Sequence, residues 1–125
     1  MSVKPVRQPG PDHPITIEAN PATVSVTAAG TRIAETRRAL TLREAGHAPV
    51  HYVPLEDVAE GVLERSAHTS YCPYKGDATY YSIPAAGEAG ENAVWEYRRP
   101  YPAVAEIEGH VAFYRDRVQV SERRG

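Results

Sequence analysis

Between Thr23 and Thr27 the chain reads Thr-Val-Ser-Val-Thr, a strict alternation of polar and apolar positions, and short stretches of this two-residue period recur over most of its length. Alternation puts every second side chain on one face of a strand, so it predicts half-buried β-structure. Ile15-Thr-Ile-Glu18 forms the first such segment. Thr23 to Thr27 and Thr31 to Glu35 form a hairpin across the turn Ala28-Ala-Gly30. Thr36 to Glu44 suits a helix or a strand, and the alternating Leu40 and Leu42 favour a strand ended by Gly46. Val50-His-Tyr-Val53 is a strand stopped by Pro54. Asp57 with Glu60 three residues on resembles an acidic cap, which predicts a short helix running to Leu63.

Further along, Ala78 to Ile83 and Ala93 to Tyr97 are expected to pair through a mobile, glycine-rich connection, Pro84 to Asn92. His110 to Tyr114 and Arg117 to Val120 read as a tight hairpin over Arg115-Asp116. Five prolines and glycines within residues 1–14 predict an extended arm, and Ser121 to Gly125 a frayed tail. The sum is a single, mainly β, antiparallel domain over residues 15–120 with one or two short helical turns.

Composition narrows the function classes. The 125 residues can bury a real core. A net charge of −2 supplies no global positive field, so neither nucleic acid nor a membrane surface is an expected partner. One cysteine cannot form an internal disulfide, and the five histidines show no helical i, i+4 ligand pair, so neither metal nor cofactor is expected. Residues 1–14 lack the basic flank and apolar stretch of a signal peptide, and no apolar run approaches a membrane span, so the cytoplasm is the expected location.

Candidate chemistry concentrates between His68 and Tyr81, where the sole cysteine, Cys72, lies three residues from Lys75, one of two lysines, among four tyrosines. A reactive thiolate needs a cationic or basic neighbour, which makes Cys72, Lys75 and His68 the candidate catalytic group. The competing reading of Cys72 is a small buried hydrophobe. Gly76 lets backbone approach a ligand. Tyr52, Tyr74, Trp95 and Tyr97 offer flat faces with polar tips for a planar ligand, although tyrosine ladders are also ordinary sheet structure. Arg38, in the doublet Arg37-Arg38, or Arg98-Arg99 could hold an anionic group. Glu44 and Glu106 are the carboxylates best placed to orient His68 or hold Lys75.

Four segments, Tyr52-Val-Pro-Leu-Glu-Asp-Val58, His68-Thr-x-x-Cys-Pro-Tyr-Lys-Gly-x-Ala-x-Tyr-Tyr81, Asn92-Ala-Val-Trp-x-Tyr-x-x-Pro-Tyr-Pro102 and Ile107-x-Gly-x-Val-Ala-Phe-Tyr114, occur in an order and spacing that resembles the small bacterial and fungal family numbered 427 among domains of unknown function. The resemblance spans about residues 14–120. It implies a β-tent-like fold similar to methionine sulfoxide reductase B, whose paired Cys-x-x-Cys zinc ligands are absent here. The family has also carried a nucleotidyltransferase-like label, yet the chain has neither a Gly-Ser followed by paired aspartates nor a glycine-rich phosphate loop. The expected function is binding of a small planar or anionic ligand around residues 68–76, with Cys72 a nucleophile if a reaction occurs. The alternative is an interaction module or homodimer using its tyrosine-rich face.

Overall fold

The computed structural model describes residues 4–124. Ten strands form two antiparallel sheets: β1 (Ile15–Asn20), β2 (Thr23–Ala28), β3 (Thr31–Thr36), β4 (Ala39–Glu44), β5 (Val50–Pro54), β6 (Glu64–Cys72), β7 (Gly76–Ser82), β8 (Val94–Glu96), β9 (His110–Phe113) and β10 (Gln119–Arg123). The larger sheet has the order β1-β4-β5-β9-β8-β7-β6, and the smaller has β10-β2-β3. The domain is therefore mainly β and sandwich-like, with 3₁₀ turns at Leu55–Asp57, Pro84–Gly90 and Pro102–Ile107. Among the described residues no helix is long and apolar enough to cross a membrane.

The period-two pattern sets which face each strand buries. Val24, Val26 and Ala28 of β2 are buried, and they pack with Val53, Val94, Val111 and Phe113 of the larger sheet to form the inter-sheet core. The larger sheet also covers its other face, because Leu42, Tyr52, Ala78, Tyr80, Tyr97 and Ala112 pack there with Val104 and Ile107 of the last 3₁₀ segment. Two separate apolar clusters thus flank one sheet, and the candidate site lies on the second.

Several elements differ from the sequence reading. The helix expected from Asp57 to Leu63 is a single 3₁₀ turn, Leu55–Asp57. Asp57 spends its carboxylate on Thr36 Oγ1 at 2.6 Å and on Arg38 instead of capping a helix, and Gly61 at φ +80° breaks any continuation. The hairpin expected between residues 110 and 120 does not form: β9 lies between β5 and β8, while β10 crosses over to pair with β2. That pairing also makes strand of Ser121 to Arg123, where a frayed tail was expected; Gly125 lies outside the described residues. The connection expected to be mobile is organised into 3₁₀ turns around the buried Gly90, where a Cβ would stand 2.1 Å from the Ile83 carbonyl oxygen.

The N-terminal arm, described from Lys4 onward, lies over the β6–β7 hairpin. Arg7 N–H donates to the Pro73 carbonyl at 2.9 Å, Tyr71 Oη donates to the Pro5 carbonyl at 2.6 Å, and Lys4 Nζ meets Asp77 at 2.5 Å. A turn closed by Gly10 and His13 then carries the chain into β1. Residues 1–3 of the expected arm lie outside the described residues.

Candidate functional site

The β6–β7 hairpin positions Lys75. Its N–H donates to the Cys72 carbonyl at 3.2 Å, closing a turn through Pro73 and Tyr74, and its carbonyl accepts the Tyr101 N–H at 3.0 Å. Gly76 follows at φ +109°, where a side chain would be strained and would approach Arg99 O at 3.4 Å. Both main-chain groups of Lys75 are thereby held, and its side chain is directed inward with 9% exposed.

There Lys75 Nζ donates to Glu44 Oε1 at 2.5 Å, while His13 Nε2 lies 2.6 Å from Glu44 Oε2. Glu44 comes from the end of β4 and His13 from the arm, so three distant segments converge on one carboxylate that is 11% exposed. Burial by itself would raise the Glu44 pKa, but the hydrogen bonds from Lys75 and His13, with the charge of Lys75 and the influence of His47, bring it below the usual carboxylate value. His13 in turn stacks on Tyr74, ring centroids 4.1 Å apart and nearly parallel.

This charged group borders a cavity of about 230 Å³ lined by Leu42, Glu44, His47, Ala48, Val50, Tyr52, Lys75, Tyr80, Trp95, Tyr97 and Tyr114. Leu42 and Glu44 of β4 and Val50 and Tyr52 of β5 share one face because they are spaced by two. Trp95 Nε1 donates to Tyr52 Oη at 3.3 Å, with the rings edge to face, and Trp95 also rests against Tyr114 at 4.6 Å. Burial pushes the Tyr52 and Tyr97 phenols well above their ordinary pKa, and burial with a hydrogen bond to Tyr80 pushes Tyr114 up to about 12. These phenols are therefore neutral hydrogen-bond donors at neutral pH.

Of the residues singled out from sequence, Lys75, Glu44, Tyr52, Trp95 and Tyr97 line this cavity together. Cys72 is half-buried against its wall, with Sγ 3.8 Å from Lys75 Nζ. Tyr74 and Gly76 support the turn and the His13 ring from outside. His68 lies elsewhere: it belongs to strand β6 instead of a loop, four residues from Cys72, a span of roughly 13 Å along a strand. Its exposed ring meets Tyr80 edge-on at 4.5 Å, in a neighbouring depression with Asn92 and Arg117. Arg38 is also remote, paired with Glu56 at 2.8 Å and Asp57 at 3.1 Å beside the first 3₁₀ turn. Arg37, Arg98, Arg99 and Glu106 are exposed.

Sequence reasoning missed His13, His47, Tyr80 and Tyr114 as members of the site. The parity of Tyr80 with the apolar Ala78 on β7 was a usable signal. For His13, within a proline-rich arm, no periodicity existed to read. Among the described residues no group of three or more His, Cys, Asp or Glu side chains gathers to hold a metal ion.

Fold and site together define a small antiparallel β domain with an aromatic cavity bordered by a buried ion pair. The chain belongs to the family described as Domain of unknown function (DUF427), which matches residues 16–124. Among curated proteins none matches the chain.

Proposed function

We propose that this chain is a cytoplasmic small-molecule-binding domain whose ligand enters the cavity between Trp95, Tyr52 and Lys75. The observation that carries the reading is a buried Lys75–Glu44 pair, hydrogen-bonded to the half-buried His13, that opens onto a cavity walled by five aromatic side chains. An ion pair at such a position costs desolvation energy that apolar residues of the same size avoid. Its arrangement beside the cavity fits polar recognition of a ligand. Lys75 has three N–H donors, of which Glu44 takes one and the Cys72 sulfur weakly takes another, leaving one for an acceptor on the ligand. The flat walls suit a planar ligand, and the neutral phenol of Tyr97 supplies a donor at its edge.

A catalytic version of this reading uses Cys72 as nucleophile. Its support is the Lys75 ammonium at 3.8 Å, since His68 lies across a different depression and is not positioned as its base. The pH dependence of Cys72 alkylation, compared between the parent protein and Lys75→Met, separates the versions. A thiolate titrating well below ~8.5 and shifting upward in the variant supports catalysis, and alkylation only on unfolding assigns Cys72 to packing.

Trp95 is the sole tryptophan, so its fluorescence reports cavity occupancy directly. A library of small planar heteroaromatic acids and amides, titrated against that signal, should yield saturable changes that are lost in Tyr97→Ala. No saturable response from any planar class, with the protein folded, refutes the proposal.

A further inference from the structure

The alternation that sends Leu42, Glu44, Val50 and Tyr52 to the aromatic cavity sends Thr41, Arg43 and His51 to the opposite face of β4 and β5. There they border a second, polar cleft of about 370 Å³ at the open end between the two sheets. Arg43 reaches it from β4, Arg115 from the segment after β9, and Arg124 from the end of β10. Among the described residues none of these three arginines forms an ion pair within 4.0 Å.

Of the two carboxylates bordering the cleft, Glu122 is already engaged. Glu122 Oε1 accepts from Asn20 Nδ2 at 3.1 Å, and its Oε2 lies 3.5 Å from His51 Nε2. His51 Nδ1 is bonded to Thr41 Oγ1 at 2.9 Å, and Asn20 Nδ2 also reaches that hydroxyl at 3.1 Å. The Asn20–Thr41–His51–Glu122 chain thus forms a satisfied floor, with the imidazole side chain only 8% exposed, while three guanidinium groups stand above it unpaired. Counting Glu18 at the edge, three arginines face two carboxylates, a local positive excess in a chain of net charge −2.

We propose that this cleft is a second binding site, for a phosphoryl oxyanion. Three planar forks offer more N–H donors than the two oxygens of a carboxylate can accept, whereas a tetrahedral phosphoryl group presents at least three oxygens in different directions. The groups facing His51 are Thr41, Glu122, Arg43 and Arg115. Burial first, and the two arginines with it, hold its pKa below the ordinary histidine value against the opposing effect of Glu122. A bound dianion beside the ring favours the imidazolium, so binding should move the His51 titration upward.

The test is a titration of inorganic phosphate and, separately, glycerol phosphate, followed by the His51 ring resonances at constant ionic strength against sodium chloride. Saturation at a Kd of about 1 mM or tighter is expected, weakened about tenfold in Arg43→Gln and in Arg115→Gln. Glu122→Gln, which removes the carboxylate facing the arginines, should tighten binding, and Arg32→Gln on the far strand β3 should leave it unchanged. Tighter binding of the monoester assigns the phosphoryl group to an organic phosphate, and equal or weaker binding assigns it to the free ion. Shifts that fail to saturate by tens of millimolar, that match the chloride control, or that survive both arginine substitutions overturn the proposal. Trp95 lies on the other face of the sheet, so failure here leaves the aromatic-cavity reading unaffected, and the converse holds.

Discussion

Replacing Lys75 by methionine tests the central ion pair. The substitution keeps the length and apolar stem of the side chain and removes its charge, leaving Glu44 Oε1 without its 2.5 Å donor while Oε2 keeps His13. Removing one partner of a buried pair costs about 3–5 kcal/mol. Because Glu44 retains His13 and borders an open cavity, the lower end, about 3 kcal/mol, is expected. At about 2.1 cal/mol/K of unfolding entropy per residue, a chain of this length should then lose about 11 °C in Tm, read by circular dichroism. In Glu44→Leu/Lys75→Met no buried charge is orphaned, so the double variant should be more stable than Lys75→Met alone, with a coupling energy of about 2 kcal/mol. A loss under about 1 kcal/mol in Lys75→Met, or strictly additive single effects, would show that the pair is solvent-screened and refute its role as a buried anchor.

The pH dependence of Glu44 follows from the direction of its shift. A carboxyl held lower in the folded than in the unfolded state stabilises fully above the unfolded value of ~4.3, and that stability disappears as pH falls through the folded value. The stability gap between the parent protein and Glu44→Gln should therefore narrow from neutral to acid pH in urea titrations, and a gap that widens contradicts the assignment. Tyr52→Phe strands the Trp95 N–H and should cost about 1–2 kcal/mol with a shift in tryptophan emission. Gly76→Ala forces a side chain into φ +109° and should cost about 2 kcal/mol by chemical denaturation. Gly90→Ala, with a Cβ 2.1 Å from a backbone oxygen, should cost about 3 kcal/mol or more, and a stability equal to the parent would refute the tight approach at Ile83.

The sequence by itself determined the local structure wherever a single periodicity spoke without competition. The strict alternation of β2, the turn at Ala29–Gly30, where both φ values are positive, and the pairing of β7 with β8 were legible, because strand alternation and turn chemistry are short-range physics. So was the mainly β class, and of the residue types singled out, Lys75, Glu44, Tyr52, Trp95 and Tyr97 come together around one cavity. Only tertiary structure decided which elements meet. Arg115-Asp116 was legible as a turn, but whether the strands beside it pair with each other or diverge into two sheets depends on which apolar faces must be buried. Val111 and Phe113 sit in the larger sheet, and Val120 packs from the smaller. The same reason separates His68 from Cys72 and brings His13 to Glu44 across 31 residues. Proximity in sequence along an extended strand means distance in space, at roughly 3.3 Å per residue, whereas sheet packing joins residues far apart in the chain at hydrogen-bonding range.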